Sequence, residues 1–555
     1  MINIDSLSMK AFVEENRDFF LGAKVQKIQQ PNRRELILVL RNNGETRKFY
    51  ININPSFYHV CFMNKENEKR RAITIPKAAA MFCMLLRKYI DASRIVDIVQ
   101  PEGERIIELY FDFYDALNDK VKLCLAIELM GKHSNVILYN FDTNVIIGCA
   151  HNVGSEKSKE RELAGLLPYI YPPKQKKYDI NKIKYEKFVQ LVESPESIEQ
   201  MLASEFYYLT KPIVQNILAD VDRTNLNVKQ LFLVVQNYIS LKNISPSICE
   251  KNNTFSLYNL NSDYKQFDSV NSMLDEYFAS NQEAKLIENL KAKLNAIVDH
   301  QIKKLKALKN KQEYQLAQDE KASLYKKKGD LLMVNAYSIE LNSQKIILND
   351  YETSQDVSID VDLSMSAIDN ANRYYKLYKK IKSAQEHTQS MIQETNSQLQ
   401  YFLEQKYYIN ISNTISDLKD IQNELLSNGD NSSLKKKEDS ALHLEPIMLS
   451  GYRVFVGKNS KQNDFILSKI ASSEDIWFHP LNMAGSHVIL KKNSPKETVP
   501  DEVLFEAAKL SKDNSCVRLG SKVPIIYTLR KYVKKATSKG LAFVTYKNET
   551  EILVD

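Results

Sequence analysis

Residues 451–465 read GYRVFVGKNSKQNDF and residues 475–490 read DIWFHPLNMAGSHVIL; these two stretches decide how the C-terminal end of the chain folds. Tyr452–Gly457 and His487–Lys491 alternate as strands, and Asp501 to about Lys512 has a helical pattern. Further strands are expected at Leu541–Tyr546 and Glu551–Val554, so 445–555 is predicted to be an α+β module. Asn459, Gln462 and Asn463 each offer donors and an acceptor. Gly457 and Gly485 let backbone approach a neighbour closely. Trp477, the only tryptophan, and His479 present flat faces suited to stacking. With Lys458 and His487 beside them, these residues are expected to contact a partner. The alternative is a strand, a turn and a helix start around a core tryptophan.

Charge supports a polyanionic partner. Residues 451–555 hold 17 Lys and Arg against 11 Asp and Glu, on a chain whose net charge is only +7. Such a basic module on a near-neutral body fits nucleic acid, or else a solvated face that aids solubility. The run 522–540, KVPIIYTLRKYVKKATSKG, sets Arg530, Lys531, Lys534 and Lys535 around Tyr527 and Tyr532. Cations among aromatic rings suit RNA backbone and base stacking.

N-terminal to this module, Ser427 to Ser440 is polar and charged, and 427–444 reads as a linker. Asn281–Lys328 and Ile368–Asn428 contain neither Gly nor Pro. Ile287, Leu290, Leu294 and Ile297 keep heptad-like spacing before the register slips. Residues 281–426 are therefore expected to form an antiparallel coiled-coil hairpin with arms of roughly 70–90 Å and a β-rich tip at 329–366; two arms of an ordinary bundle is the other reading. Residues 176–280 read as a small helical domain. Residues 1–175 read as α/β, with strands such as Arg105–Phe113 and Val121–Leu129 and a helix near Lys77–Ile90. The fold class is multidomain α+β.

Three further stretches carry candidate contacts. In 99–109, VQPEGERIIEL, Glu104 and Arg105 sit on a glycine turn that leads into a strand. A guanidinium there can reach phosphate or stack on a base, and a carboxylate can accept from base amino groups. A surface ion pair is the simpler reading. In 127–138, IELMGKHSNVIL, Glu128, Leu129, Met130, Lys132 and His133 surround the turn at Gly131. Along 359–384 a serine caps a helix on which Arg373, Lys376 and Lys379 form a basic face with tyrosines interleaved, or else a coiled-coil arm with solvated lysines. Arg33 and Arg34 occupy another turn.

The six cysteines are scattered without metal or disulfide spacing, and most read as buried thiols. The N-terminus lacks a signal-peptide pattern, and no run has the ~18–20 apolar residues of a membrane span. A cytoplasmic protein without membrane, metal or cofactor is expected. No Walker loop, nucleophile elbow or HExxH motif is present, so no catalytic residue is assigned. His479 and His487 near Asp475 and Ser486 leave a hydrolase as a remote alternative.

The C-terminal motifs resemble the NFACT family, once called fibronectin-binding and now associated with ribosome quality control; the bacterial, RqcH-like branch is the nearest in pattern. The family sequence GKNxxQND matches 457–464, and its DLWLHxxxxPGSHV matches 475–488 with Met483-Ala484 in place of an apolar–Pro pair. The blocks around 104, 127–135 and 359–384 are similar too, so the resemblance covers nearly the whole chain. It implies tRNA contact by Glu104, Arg105, Glu128, Leu129, Met130, Lys132 and His133. The chain carries Glu104 where the family has Asp, which leaves its tRNA preference open. For Arg373, Lys376, Lys379 and the C-terminal residues the expected partner is ribosomal RNA or the large ribosomal subunit. The resemblance also implies recruitment of tRNA, typically that for alanine, to stalled peptidyl-tRNA complexes for template-free tailing. A surface adhesin is the alternative that the older family name implies. The first domain is thought to resemble formamidopyrimidine-type glycosylases, but Met1-Ile2-Asn3 lacks their N-terminal nucleophile.

Overall fold

The computed structural model describes residues 3–554 except 115–118, 157–160, 194–196, 220–226, 259–262, 317–318, 351–354, 428–443, 482, 484, 516–521 and 536–543. Residues 428–443 of the expected linker, and Cys516, fall outside the described residues. The chain forms two compact units, Met1–Lys285 and Leu286–Asp555.

In the first unit, α1 (Ser6–Phe20) starts at Asp5, whose carboxylate accepts the Ser8 N–H at 2.7 Å as an N-cap. Strands β1 (Lys24–Asn32), β2 (Glu35–Asn42), β3 (Glu45–Asn52) and β4 (His59–Met63) form an antiparallel sheet in chain order. Asn43 and Gly44 join β2 to β3 at φ 47° and 80°, the left-handed pair that a two-residue hairpin requires. Helices α2 (Lys65–Arg70) and α3 (Met81–Ile90) precede a second sheet of β5 (Ile95–Val99), β6 (Ile106–Tyr114), β7 (Lys120–Glu128), β8 (Asn135–Asn140) and β9 (Val145–Cys149), again in sequence order. Then come α4 (Tyr185–Val192), α5 (Ile198–Glu205), α6 (Lys211–Ala219), α7 (Val228–Ile239) and a small sheet of β10 (Ser247–Cys249), β11 (Thr254–Ser256) and β12 (Tyr264–Gln266).

One hydrophobic core runs from Ile4 to Phe278 and joins the sheets to the helical segment. It includes the first turns of α8 (Val270–Leu316), which Arg71 anchors by a fully buried ion pair to Asp275 at 2.6 Å. Taking one partner away would leave an unpaired buried charge, typically a loss of about 3–5 kcal/mol. Cys61, Cys83, Cys124, Cys149 and Cys249 are buried free thiols, as expected.

In the second unit, the remainder of α8 and α9 (Asp319–Val334) run antiparallel to α10 (Ala367–Ile411). Leu294, Val298 and Ile302 pack near the end of α10 against Tyr408 and Ile409, with Leu418 and Ile421 of α11 (Ile415–Ser427). At the other end Leu331 and Leu332 pack with Ala371 and Tyr374 under the hairpin β13 (Lys345–Asp350) and β14 (Gln355–Asp360). The long helical hairpin and its β tip are therefore present. The C-terminal sheet contains β15 (Ile447–Leu449), β16 (Tyr452–Val456), β17 (Ile476–Pro480), β18 (Val488–Lys491), β19 (Val523–Leu529) and β22 (Thr550–Val554), in the order β15-β16-β18-β17-β19-β22. A short ribbon pairs β20 (Lys534–Lys535) with β21 (Val544–Thr545). α13 (Asp501–Asp513) covers one face of the sheet; α12 (Ser460–Phe465) and the turn after it cover the other. Among the described residues, no helix is long and apolar enough to cross a membrane.

Candidate RNA-binding site

The first unit gathers its candidate residues at the N-terminal end of α1. Gly103, at φ 72°, turns the chain from β5 toward β6, a conformation that disfavours any side chain. Gln100 ties this turn to α1, donating through Nε2 to the Ser6 carbonyl at 2.9 Å and the Glu104 carbonyl at 2.8 Å. Arg105 donates to the Tyr58 hydroxyl at 2.6 Å, its guanidinium carbon 5.6 Å from that ring's centre. The Arg105 carbonyl accepts the Leu129 N–H at 2.8 Å, which brings the Met130 turn alongside. Gly131 lies against Tyr58 in turn. Glu104, Arg105, Met130 and Tyr58 line one cavity of about 780 Å³, together with Asp5 and residues of the helical segment. Lys132 and His133 stand exposed on the adjoining turn.

Burial raises the carboxyls of both Asp5 and Glu104; hydrogen bonds from Ser8 and Leu7 chiefly oppose this at Asp5, and the Arg105 charge chiefly opposes it at Glu104. Both acids line the same cavity as the Arg105 guanidinium. A cation with five fixed donors, two carboxyl acceptors and tyrosine rings can hold phosphate and base edges together. The sequence reading missed Asp5. An acidic residue just before a helix is visible as a cap, but nothing local places it beside Arg105.

Glu128 and Leu129 need correction as direct contacts. Both are fully buried. Glu128 pairs with Arg161 and accepts from the Tyr169 hydroxyl at 2.9 Å, so its carboxylate is used inside the sheet layer. Burial raises it, with Arg161 opposing. These two residues support the Met130 turn from beneath.

In the second unit, Arg373, Lys376 and Lys379 are exposed along α10. Arg373 also lines an open groove of about 1030 Å³ at the tip, with Lys321, Lys328 and Lys345. Two of the interleaved tyrosines are bonded within the tip, and Tyr378 is half-exposed. Tyr374 is buried and donates to the Asp360 carbonyl at 2.6 Å; Tyr375 donates to Asp330 at 2.7 Å. Both serve the tip's own packing, which leaves the cations as the outward face.

The opening motif needs the largest correction. Asn459 and Asn463 are each 1% exposed. Asn459 caps α12 by accepting the Gln462 N–H at 2.8 Å. The Gln462 amide donates to Asp417 at 2.8 Å and accepts from the Lys458 N–H at 2.9 Å. Asn463 donates to the Tyr408 hydroxyl at 2.8 Å and accepts the His487 N–H at 3.1 Å. Gly457 is required here, because a Cβ on it would lie 2.0 Å from Asn463 Oδ1. The amides thus fasten the C-terminal sheet to α10 and α11 rather than face a partner.

Trp477 is fully buried and stacks on His479, with ring centres 5.6 Å apart and planes within 5°. Burial holds His479 at about 4 and His487 well below the usual imidazole range, so both are neutral near pH 7 and poor phosphate ligands. Asp475 accepts the backbone N–H groups of Ser472 at 2.7 Å and Lys492 at 3.1 Å, roles of a turn anchor.

Arg530 spends its guanidinium on the Leu467 and Val533 carbonyls at 3.0 and 2.7 Å. The run expected to contact RNA begins as the interior strand β19, where Tyr527 stacks on Phe478. Lys458, Lys531, Lys534 and Lys535 are all exposed; Lys531 pairs with Glu474 at 3.1 Å and Lys535 pairs with Asp464.

The chain is similar to known proteins along its length. Residues 5–441 match the NFACT N-terminal and middle domains, and residues 446–545 match the NFACT protein RNA binding domain. The protein named Rqc2 homolog RqcH from Streptococcus pneumoniae serotype 2 (strain D39 / NCTC 7466) is 26% identical over 560 residues, covering 100% of this chain and 98% of that one. The protein of the same name from Bacillus subtilis (strain 168) is 25% identical over 572 residues, with coverages of 100% and 98%. The solved N-terminal part of the fibronectin/fibrinogen-binding protein from Streptococcus suis is 25% identical, with a TM-score of 0.44 over 50% of this chain and 99% of that one. Since the two family patterns together span the chain from residue 5 to residue 545, this protein belongs to the NFACT family and carries its RNA-binding domain.

Proposed function

We propose that this protein is a ribosome quality control factor that binds obstructed large ribosomal subunits carrying peptidyl-tRNA. It recruits a further tRNA, that for alanine in the first instance, for template-free extension of the stalled chain. Peptide bonds form in the ribosome's own peptidyl transferase centre; this protein supplies shape and charge, without a cofactor or a catalytic side chain of its own. It acts in the cytoplasm, where its RNA partners are.

The observation that carries the reading is the cavity in which Arg105, Glu104, Asp5, Tyr58 and Met130 converge, with Lys132 and His133 at its side. Its chemistry suits a folded RNA's phosphates and base edges at once. Arg373, Lys376 and Lys379 on α10 and the exposed Lys458 and Lys534 supply separate cationic contacts for ribosomal RNA. The full-length likeness to proteins named Rqc2 homolog RqcH supports the assignment.

Phosphate contacts release counterions, so binding to large subunits must weaken with salt. Pelleting from 50 to 200 mM salt should lose roughly a thousandfold in affinity if about six phosphates are engaged. A flat salt response contradicts the electrostatic part of this function.

A further inference from the structure

The turn that carries Glu104 and Arg105 is held by residues from elsewhere in the chain. The Gly103 N–H donates to the Tyr208 hydroxyl at 3.0 Å. The ring of Tyr207 covers the same glycine so closely that a Cβ there would lie 2.1 Å from Tyr207 Cδ1. Tyr207 is fixed in turn, donating its N–H to the Tyr178 carbonyl at 3.0 Å and its hydroxyl to the Gln175 carbonyl at 2.9 Å. Next to the turn, Glu102 pairs with Lys182 at 2.6 Å.

Tyr208 adopts φ 68°, a left-handed conformation costly for a bulky aromatic residue. Strain of this kind persists where the surroundings enforce it, and it concentrates at working sites. Here it turns two consecutive tyrosine rings toward one glycine. Both rings also line the cavity that holds Arg105.

We propose that Tyr207 and Tyr208 form a positioning clamp on the Gly103 turn, so that the tRNA site is composite: the turn between β5 and β6 carries Glu104 and Arg105, and the helical segment sets their angle. This rests on the tRNA reading above. Neither tyrosine needs to touch RNA for the clamp to act.

The test uses the full chain, with bulk deacylated tRNA as the probe in filter binding and amide hydrogen exchange of the Gly103 peptide as a second readout. Tyr208→Phe removes the acceptor for the Gly103 N–H; Tyr207→Ala removes the covering ring; Tyr207→Phe keeps it. The first two should weaken tRNA binding about tenfold and the third by less than about twofold, the scale of one lost hydrogen bond or packed ring. Exchange at Gly103 should quicken in the first two alone, while peptides from β6 and β7 stay protected. Quickened exchange with unchanged tRNA affinity overturns the clamp, and so does unchanged exchange in Tyr208→Phe. An Arg105→Ala control reads the site itself: full affinity there counts against the tRNA assignment, whatever the tyrosine variants do.

Discussion

Asn463 donates to the Tyr408 hydroxyl at 2.8 Å, and Tyr408 donates onward to the Gly485 carbonyl at 3.0 Å. This chain of bonds joins three parts of the second unit: the end of α10, the helix start at 460, and the loop before β18. Every group in it is buried, so removing the Tyr408 hydroxyl takes one buried hydrogen bond each from the Asn463 amide and the Gly485 carbonyl. Tyr408→Phe should destabilise the C-terminal domain by about 1–3 kcal/mol. Trp477, the only tryptophan and fully buried in that domain, reports its unfolding selectively. A urea midpoint by tryptophan fluorescence equal to that of the parent chain would count against the latch.

Two histidines of the C-terminal domain, His487 buried and His479 half-buried, make a pH prediction. Burial depresses both His479 and His487, so the unfolded chain binds protons that the folded domain refuses. Stability from this source is present above the unfolded value near 6.5 and is lost as pH falls toward about 4 for His479. The slope is at most about 1.4 kcal/mol per pH unit for each histidine. His479→Asn should flatten the pH dependence of the tryptophan-monitored midpoint between pH 7 and 5. An unchanged slope in that variant would show that the ring is not held neutral.

Asp5 combines two roles that substitution separates. As a cap it stabilises α1, and as an acid it lines the cavity that holds Arg105. Asp5→Asn keeps capping capacity within a few tenths of a kcal/mol, while Asp5→Ala should cost about 1 kcal/mol. Both remove the charge, so both should alter tRNA binding. Normal tRNA binding by a stable Asn variant would leave Asp5 as a cap alone.

The outward face of α10 predicts function without stability. Replacing Arg373, Lys376 and Lys379 by Gln should change the unfolding midpoint by less than about 0.5 kcal/mol. It should also lower the salt slope of large-subunit binding by up to about 3. An unchanged slope removes this face from the ribosome contact.

Much of this architecture was legible in the chain. Long Gly- and Pro-free runs gave the hairpin arms, β-branched, aromatic and alternating stretches gave the long central strands such as β6, β7, β16 and β18 but not the short ones, and scattered cysteines gave buried thiols. The direction in which the polar signature faces was not legible. Asn463 and Gln462 look like a contact surface because amides suit partners of any kind; that Tyr408 and Asp417 take them depends on residues 55 and 45 positions away. Arg530 shows the same effect: a cation in a basic run, yet bonded to two carbonyls. In the first unit local chemistry alone left the Glu104–Arg105 turn as a surface ion pair and the family resemblance made it a candidate contact, while Asp5, Tyr207 and Tyr208 reach it only through the tertiary fold.

The most direct test is to sequence the RNA that co-purifies with the full chain and with its Arg105→Ala variant under low-salt conditions. The wild-type protein should carry tRNA together with large-subunit ribosomal RNA, and the variant should lose the tRNA while keeping ribosomal RNA and its fold. Wild-type protein free of tRNA, or equal tRNA on both proteins, contradicts the account.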